Sequence, residues 1–393
     1  MDTGNGNGVT VATEMESAVR RRYAAASRRA EACLCVPSTT YDPKYLAVLP
    51  KEIIERDYGC GDPSLWIREG EVVLDLGSGG GKNCYICAQK VGPSGKVIGV
   101  DFNEPMLHLA RKHRQSIGDA LGYHNIDFRK GKIQDLRLDL DQFEAYLARN
   151  PAANSDSYLL AQEEAERLRH ESPMIADSSI DVIVSNCVLN LVSVKEKHQL
   201  FDEMFRVLRV GGRCVISDIV SDEDVPLSLQ RDRELWSGCL SGAFREDLFL
   251  KAFQDAGFYG IRLLDRTDQP WQTLNGIEFR SVTVQAFKGK QGPRFEGNQA
   301  VIYKGPWRRV IDDDGHTLDR GERMAVCDKT FRLYQREPYR DQFFFVEPLQ
   351  AIPPEQAKPF CRASARRDPR ETKGGDYDKT TESTRRCGPD GCC

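Results

Sequence analysis

EVVLDLGSGGG (residues 71–81) is a short apolar run that ends in glycines, the pattern of a buried strand breaking into a tight turn. KNCYICAQKVG (82–92) follows as a short amphipathic helix closed by glycine, and KVIGVDF (96–102) is a second strand. NEPMLHLARKHRQSIG (103–118) places Met106, Leu109 and Ala110 at helical spacing, and NIDFRKGKI (125–133) is a third strand. DSSIDVIVSNCVLNLV (177–192) carries a fourth strand and leads towards another helix. VKEKHQLFDEMFRVLRVGGRCVISDIV (194–220) continues that helix, stops at Gly211 and Gly212, and adds a fifth strand. Strands alternating with helices at this interval predict a doubly wound, Rossmann-like α/β sheet over 70–220.

Outward from that unit the chain changes character. Residues 1–16 are small and polar, so they are expected to be disordered. Residues 17–69 read as an N-terminal helical segment with an Arg- and Ala-rich start, SAVRRRYAAASRRAEA, and a later helix ending near Gly59 and Gly61. Residues 136–172 are charged, helix-favouring and longer than the usual connection of about 2–6 residues, hence a surface helical insertion. Residues 221–288 supply the remaining strands. GKQGPRFEGN, from Gly289, reads as a linker to a small β-rich unit over 298–350, whose strands are joined by DDDGH and DRGER turns. The tail 362–393 lacks aliphatic residues larger than alanine, ends in CC, and is expected to be disordered.

The formal charge of −4 and the pI of about 6.0 argue against a nucleic-acid binder, since there is no cationic surplus to neutralise phosphates. No run reaches the roughly 18 apolar residues that span a bilayer, and the first 20 residues lack a secretory apolar stretch. The expectation is a cytoplasmic monomer with no membrane partner. Thirteen cysteines are too few for a disulfide-dense scaffold of 393 residues and suit free thiols in a reducing compartment. Cys84 and Cys87 form a C-x2-C without a second pair at finger-like spacing, which disfavours zinc.

Gly77, Ser78, Gly79 and Gly81 stand directly after the first strand, where glycine lets the backbone approach a ligand closely. Asp101 ends the next strand about 20 residues on, where a carboxylate can accept from both hydroxyls of a ribose. The loop departs from G-x-G-x-x-G and carries no lysine and serine pair for phosphates, so it favours a nucleoside without phosphates over NAD or ATP. DLGSGGG, VDFNEPML and GKI resemble the first three motifs of class I S-adenosylmethionine-dependent methyltransferases. That resemblance implies that Asp75 and the glycines hold the methionine part of the donor, Asp101 the ribose, and the region of Met106 and Ile133 the adenine.

YGCG with Cys60, SNCVLNLV with Cys187 and SGCLSGAF with Cys239 resemble, in order, the cysteine motifs of arsenite methyltransferases. The chemistry agrees: trivalent arsenic is a soft, trigonal-pyramidal centre, and thiolates are its soft ligands. Three sulfurs occupy its base and leave the lone pair free to take a methyl group. The resemblance further implies arsenite and methylarsenite as substrates, a thiol reductant such as glutathione or thioredoxin, and a fourth functional thiol at Cys33 or Cys35 in ACLC. Cys84, Cys87 and Cys214 are expected in the core, Cys327 and Cys361 in structural roles. Cys387, Cys392 and Cys393 form a terminal thiol set that could capture arsenite or do nothing. Two alternatives remain at this point: a methyltransferase of a quinone, sterol or lipid, and a protein that sequesters soft metals through its thiols.

Overall fold

Three of the apolar runs, Val72–Leu76, Lys96–Asp101 and Ile180–Asn186, become parallel strands whose carboxyl ends stand side by side. The computed structural model describes residues 5–31, 34, 41–362 and 364–374, with the backbone alone for 5–12, and it divides into two units at Lys288/Gly289. In the first unit α1 (Asn5–Ala26), α2 (Pro43–Leu46) and α3 (Lys51–Glu55) precede the sheet. There follow β1 (Val72–Leu76), α4 (Lys82–Val91), β2 (Lys96–Asp101), α5 (Glu104–Leu121), β3 (Ile126–Lys130), α6 (Leu140–Arg149), α7 (Ser155–Glu171), β4 (Ile180–Asn186), α8 (Lys197–Val207) and β5 (Leu208–Ser221). The chain continues through α9 (Leu227–Gln230), α10 (Arg233–Ser237), β6 (Phe244–Arg245), α11 (Glu246–Asp255), β7 (Tyr259–Arg266), β8 (Gln272–Leu274) and β9 (Ile277–Phe287).

The main sheet runs β3-β2-β1-β4-β5-β9-β7, with β6 on β5 and β8 on β9. The first five strands are parallel, and β9 lies antiparallel to both β5 and β7. Asp75 stands opposite both Gly99 and Val184, so β1, β2 and β4 end at one level. The strand order reverses between β1 and β4, the point where such sheets open a crevice. Side chains alternate between two cores: Leu74, Ile183 and Ile216 face one, Val73, Val182 and Val215 the other.

Phe253 anchors the first core, fully buried among the rings of Phe201, Phe249 and Phe258 at centroid distances of 4.9, 5.3 and 5.7 Å. Phe253→Ala is expected to lower unfolding free energy by about 3–5 kcal/mol in a denaturant melt, because the cavity adds to the lost transfer term. A loss below about 1 kcal/mol contradicts this packing account.

The expected disorder at the amino terminus is corrected: α1 begins at Asn5. Met15 and Val19, one turn apart, are buried against Trp236, which a composition of small polar residues does not disclose. Residues 136–172 hold two helices, α6 and α7, as the charged pattern predicts.

The second unit contains β10 (Ala300–Tyr303), β11 (Arg309–Ile311), β12 (Thr317–Asp319), β13 (Arg323–Ala325), α12 (Asp328–Tyr334), β14 (Phe343–Val346) and α13 (Pro369–Lys373). Its strands pair antiparallel as β13-β10-β14 and β11-β12. Tyr334 stacks on Phe343 at 4.6 Å inside this core. The expected disorder from 362 is likewise corrected for 364–374. Arg367 is buried there and pairs with Glu296 at 2.6 Å and Glu371 at 2.9 Å, so a satisfied guanidinium orders a segment that has no aliphatic anchor. Cys387, Cys392 and Cys393 lie outside the described residues. No helix among the described residues is long and apolar enough to cross a membrane.

Candidate active site

A cleft opens where β1, β2 and β4 end. Its walls include Asp75, Gly77, Ser78, Gly79, Gly80, Asp101, Asn103, Met106, Ile133 and Cys187. Gly77 has φ +73° and a side chain there would meet Val188 at 2.4 Å, so only glycine lets the β1 turn pass the β4 loop. Gly79, at φ +51°, has open space where a side chain would be. Asp101 ties this turn to α5: it accepts from Gly79 N at 2.9 Å and from Asn103 N at 2.8 Å, while burial pushes its carboxyl up. Asp75 is pushed up to about 7, chiefly by burial, with the Cys84 thiol 3.1 Å away pulling the other way.

Seven of the eight residues expected to hold the donor line the cleft. Gly81 does not: it caps α4 at φ +89° and faces Phe128, Ala110 and Tyr85 beneath the turn, while Gly80 lines the cleft. The buried Ser78 Oγ and Asn103 Oδ1 have no hydrogen-bond partner among the described residues. Two such polar atoms beside the Gly79 opening and the Asp101 carboxylate fit a polar nucleoside donor.

Three distant segments bring their thiols together. Cys60, Cys187 and Cys239 share one buried cluster with Ile219, Val225, Leu240, Ile277 and Phe279. Cys187 follows β4 directly and holds Ser217 O through its N–H at 2.8 Å. Cys239 follows α10; its thiol donates to Cys187 O at 3.1 Å and lies 3.7 Å from the Tyr23 hydroxyl. Cys187 and Cys239 both adopt left-handed backbone, φ +64° and +63°. Each such residue costs about 1–3 kcal/mol, so the surrounding structure must impose it. Since Cys187 also lines the cleft, the thiol cluster and the cleft share a wall.

Burial pushes the Cys60 thiol up, with the Cys187 thiol beside it pulling down. Asp218, buried nearby, is pushed up to about 7 by burial and then by Cys239, and its oxygens accept from Leu189 N and Ile219 N, each at 2.8 Å. Burial lowers Lys197 to about 8; its ammonium donates to Gly242 O and lies over the Phe244 ring. Cys84, Cys87 and Cys214 are buried core residues, and Cys327 caps α12. Cys33 and Cys35 lie outside the described residues.

Some of the site had no motif to announce it. Met15, Glu16, Val19 and Tyr23 of α1 form one wall of the cleft. Their i, i+4 spacing was the available signal. Asn186 and Asn190, within the second thiol phrase, make contacts across the chain that sequence spacing does not reveal.

This strand order, with a glycine-lined cleft at the ends of β1 and β2, defines an S-adenosylmethionine-dependent methyltransferase domain. A methyltransferase-domain family matches residues 67–172 and 160–257, and a domain of unknown function matches 290–377. The arsenite methyltransferase of Aquipseudomonas alcaligenes is 32% identical over 315 residues, 77% of this chain and 80% of that protein. That of Mus musculus is 28% identical over 370 residues, covering 91% and 88% respectively. A crystal structure of an arsenic(III) S-adenosylmethionine methyltransferase from Chlamydomonas reinhardtii superposes with a TM-score of 0.53 at 28% identity, over 79% of this chain and 97% of that one. The chain belongs to the arsenite methyltransferase family.

Proposed function

We propose that this protein transfers methyl groups from S-adenosylmethionine to arsenic(III) held by Cys60, Cys187 and Cys239, yielding methylated arsenicals. One observation carries the reading: thiols from three separate segments meet in a buried cluster whose Cys187 also walls the donor cleft. A sequestering protein has no use for that shared wall, and a quinone or lipid methyltransferase has none for three converging thiols.

The donor supplies an electrophilic methyl on a sulfonium and leaves as a neutral thioether. The cysteines do the rest by placement. Each arsenite hydroxide leaves as water with the proton of the cysteine thiol that replaces it, and the arsenic lone pair stays free; that pair forms the arsenic–carbon bond as the carbon–sulfonium bond breaks. Arsenic(III) has no proton to lose, so no general base is required and alignment supplies most of the acceleration. The transfer raises arsenic to the pentavalent state, and a thiol reductant, glutathione or thioredoxin, returns two electrons before the next round. Cys33 or Cys35, with Cys60, passes those electrons. Free thiols suit the reducing cytoplasm, and the protein acts there as a monomer on arsenite and methylarsenite.

Asp75, Gly77, Ser78 and Gly79 cradle the methionine part, Asp101 the ribose, and Met106 with Ile133 the adenine. Asp101→Ala is expected to weaken donor binding about ten- to a hundredfold by calorimetry, the value of a charge-assisted hydrogen bond. Unchanged affinity rules out the ribose role. The activity itself is tested by incubating the protein with arsenite, methyl-labelled donor and a thiol, then separating the arsenic species. Label in methylarsenicals is expected; arsenite recovered unmethylated overturns the proposal.

A further inference from the structure

Arsenic needs three sulfurs at one fixed spacing, yet Cys60 and Cys239 stand in loops, and cysteine side chains are too short to correct a misplaced backbone. Their positions must therefore be set by what holds those loops. On both sides of Cys187 an asparagine side chain reaches to one of the other two cysteines.

Asn186, the residue before Cys187, accepts with Oδ1 from Cys60 N at 2.8 Å and Gly61 N at 3.1 Å. Its Nδ2 donates to Gly61 O at 2.8 Å and to the Tyr41 hydroxyl at 3.0 Å. A side chain at Gly59 would stand 2.2 Å from that Nδ2, so the glycine before Cys60 is what admits the amide. Asn190, three residues after Cys187 and fully buried, donates to Cys239 O at 3.2 Å and Ile219 O at 2.7 Å. A side chain at Gly242 would meet Asn190 O at 2.1 Å, so here too glycine permits the approach. Between the two, Asp218 fixes the loop through Leu189 N.

The geometry points to a two-armed clamp in which Asn186 positions Cys60 and Asn190 positions Cys239, both against Cys187, so that the single segment at the end of β4 sets the spacing of all three sulfurs. This rests on the reading that the three thiols hold arsenic. The asparagines are positioning residues: neither touches the arsenic.

The test is a set of double-mutant cycles in arsenite affinity, with donor affinity measured on every variant to show that the fold is kept. Asn186→Ala should weaken arsenite binding by about tenfold or more; so should Asn190→Ala. The couplings should be selective. Asn186→Ala added to Cys60→Ser should cost nothing further, whereas added to Cys239→Ser it should cost its full factor; Asn190→Ala should show the reverse. Asn186→Asp keeps the oxygen that takes both amides but sets its second oxygen against Gly61 O, and Asn190→Asp turns an oxygen towards two carbonyls, so both should lose affinity as the alanine variants do. Affinities within about twofold of wild type, or equal costs on both cysteine backgrounds, overturn the clamp. Should Cys60→Ser and Cys239→Ser themselves bind arsenite like the wild type, it is the three-thiol reading that fails instead.

Discussion

Cys187→Ser is expected to lower arsenite methylation at least about a thousandfold while leaving donor affinity within about twofold of wild type. Serine replaces a soft thiolate by a hard hydroxyl that stays protonated at neutral pH, and nearly matches cysteine in volume. The contacts that shape the loop are retained, because Ser217 O is bonded by the Cys187 backbone N–H and the Cys239 thiol donates to the Cys187 carbonyl. Only the sulfur nearest the donor cleft is lost. Wild-type turnover by this variant removes Cys187 from the mechanism, and a parallel collapse of donor affinity reassigns the effect to folding.

Cys60→Ser is expected to divide two activities. Arsenite has three exchangeable positions and needs a third sulfur, whereas monomethylarsenite has two and can rest on Cys187 and Cys239, which are in direct contact. Arsenite methylation should fall at least about a hundredfold and methylation of the monomethyl species by less than about threefold, in parallel assays with the same donor. Substituting Cys33 or Cys35 should follow the same split if either partners Cys60 in reduction. Equal loss of both activities in the Cys60 variant makes Cys60 a ligand in every round.

The parallel half of the sheet was legible because strands and helices alternate at a regular interval and its first two strands are apolar runs closed at Leu76-Gly77 and Val100-Asp101. The three thiols were legible as phrases, and Cys187 was placed by the end of β4, whereas the loops that bring Cys60 and Cys239 to it left no mark in the sequence. The α1 wall was hidden because the i, i+4 spacing of Met15, Val19 and Tyr23 does not say what that face packs against, which is Trp236, more than 200 residues away in sequence. Gly81 misled in the other direction: it belongs to the glycine run, yet the helix that starts at Lys82 needs it as a left-handed cap. Asn186 carried no signal of its own, since its bond to Cys60 spans 126 residues. Arg367 shows why the tail was misjudged, composition being blind to an ion pair assembled from Glu296 and Glu371.

The central claim, that one buried trithiol site presents arsenic to the donor cleft, is tested most directly by arsenic-edge X-ray absorption on the arsenite-loaded full chain. The account predicts a first shell of three sulfurs and no oxygen, falling to two sulfurs in each of Cys60→Ser, Cys187→Ser and Cys239→Ser. It also predicts three sulfurs when the chain is cut before Arg385, which removes the terminal thiols. An oxygen-dominated shell in the wild type, or a sulfur shell that survives all three substitutions and vanishes with the tail, contradicts it.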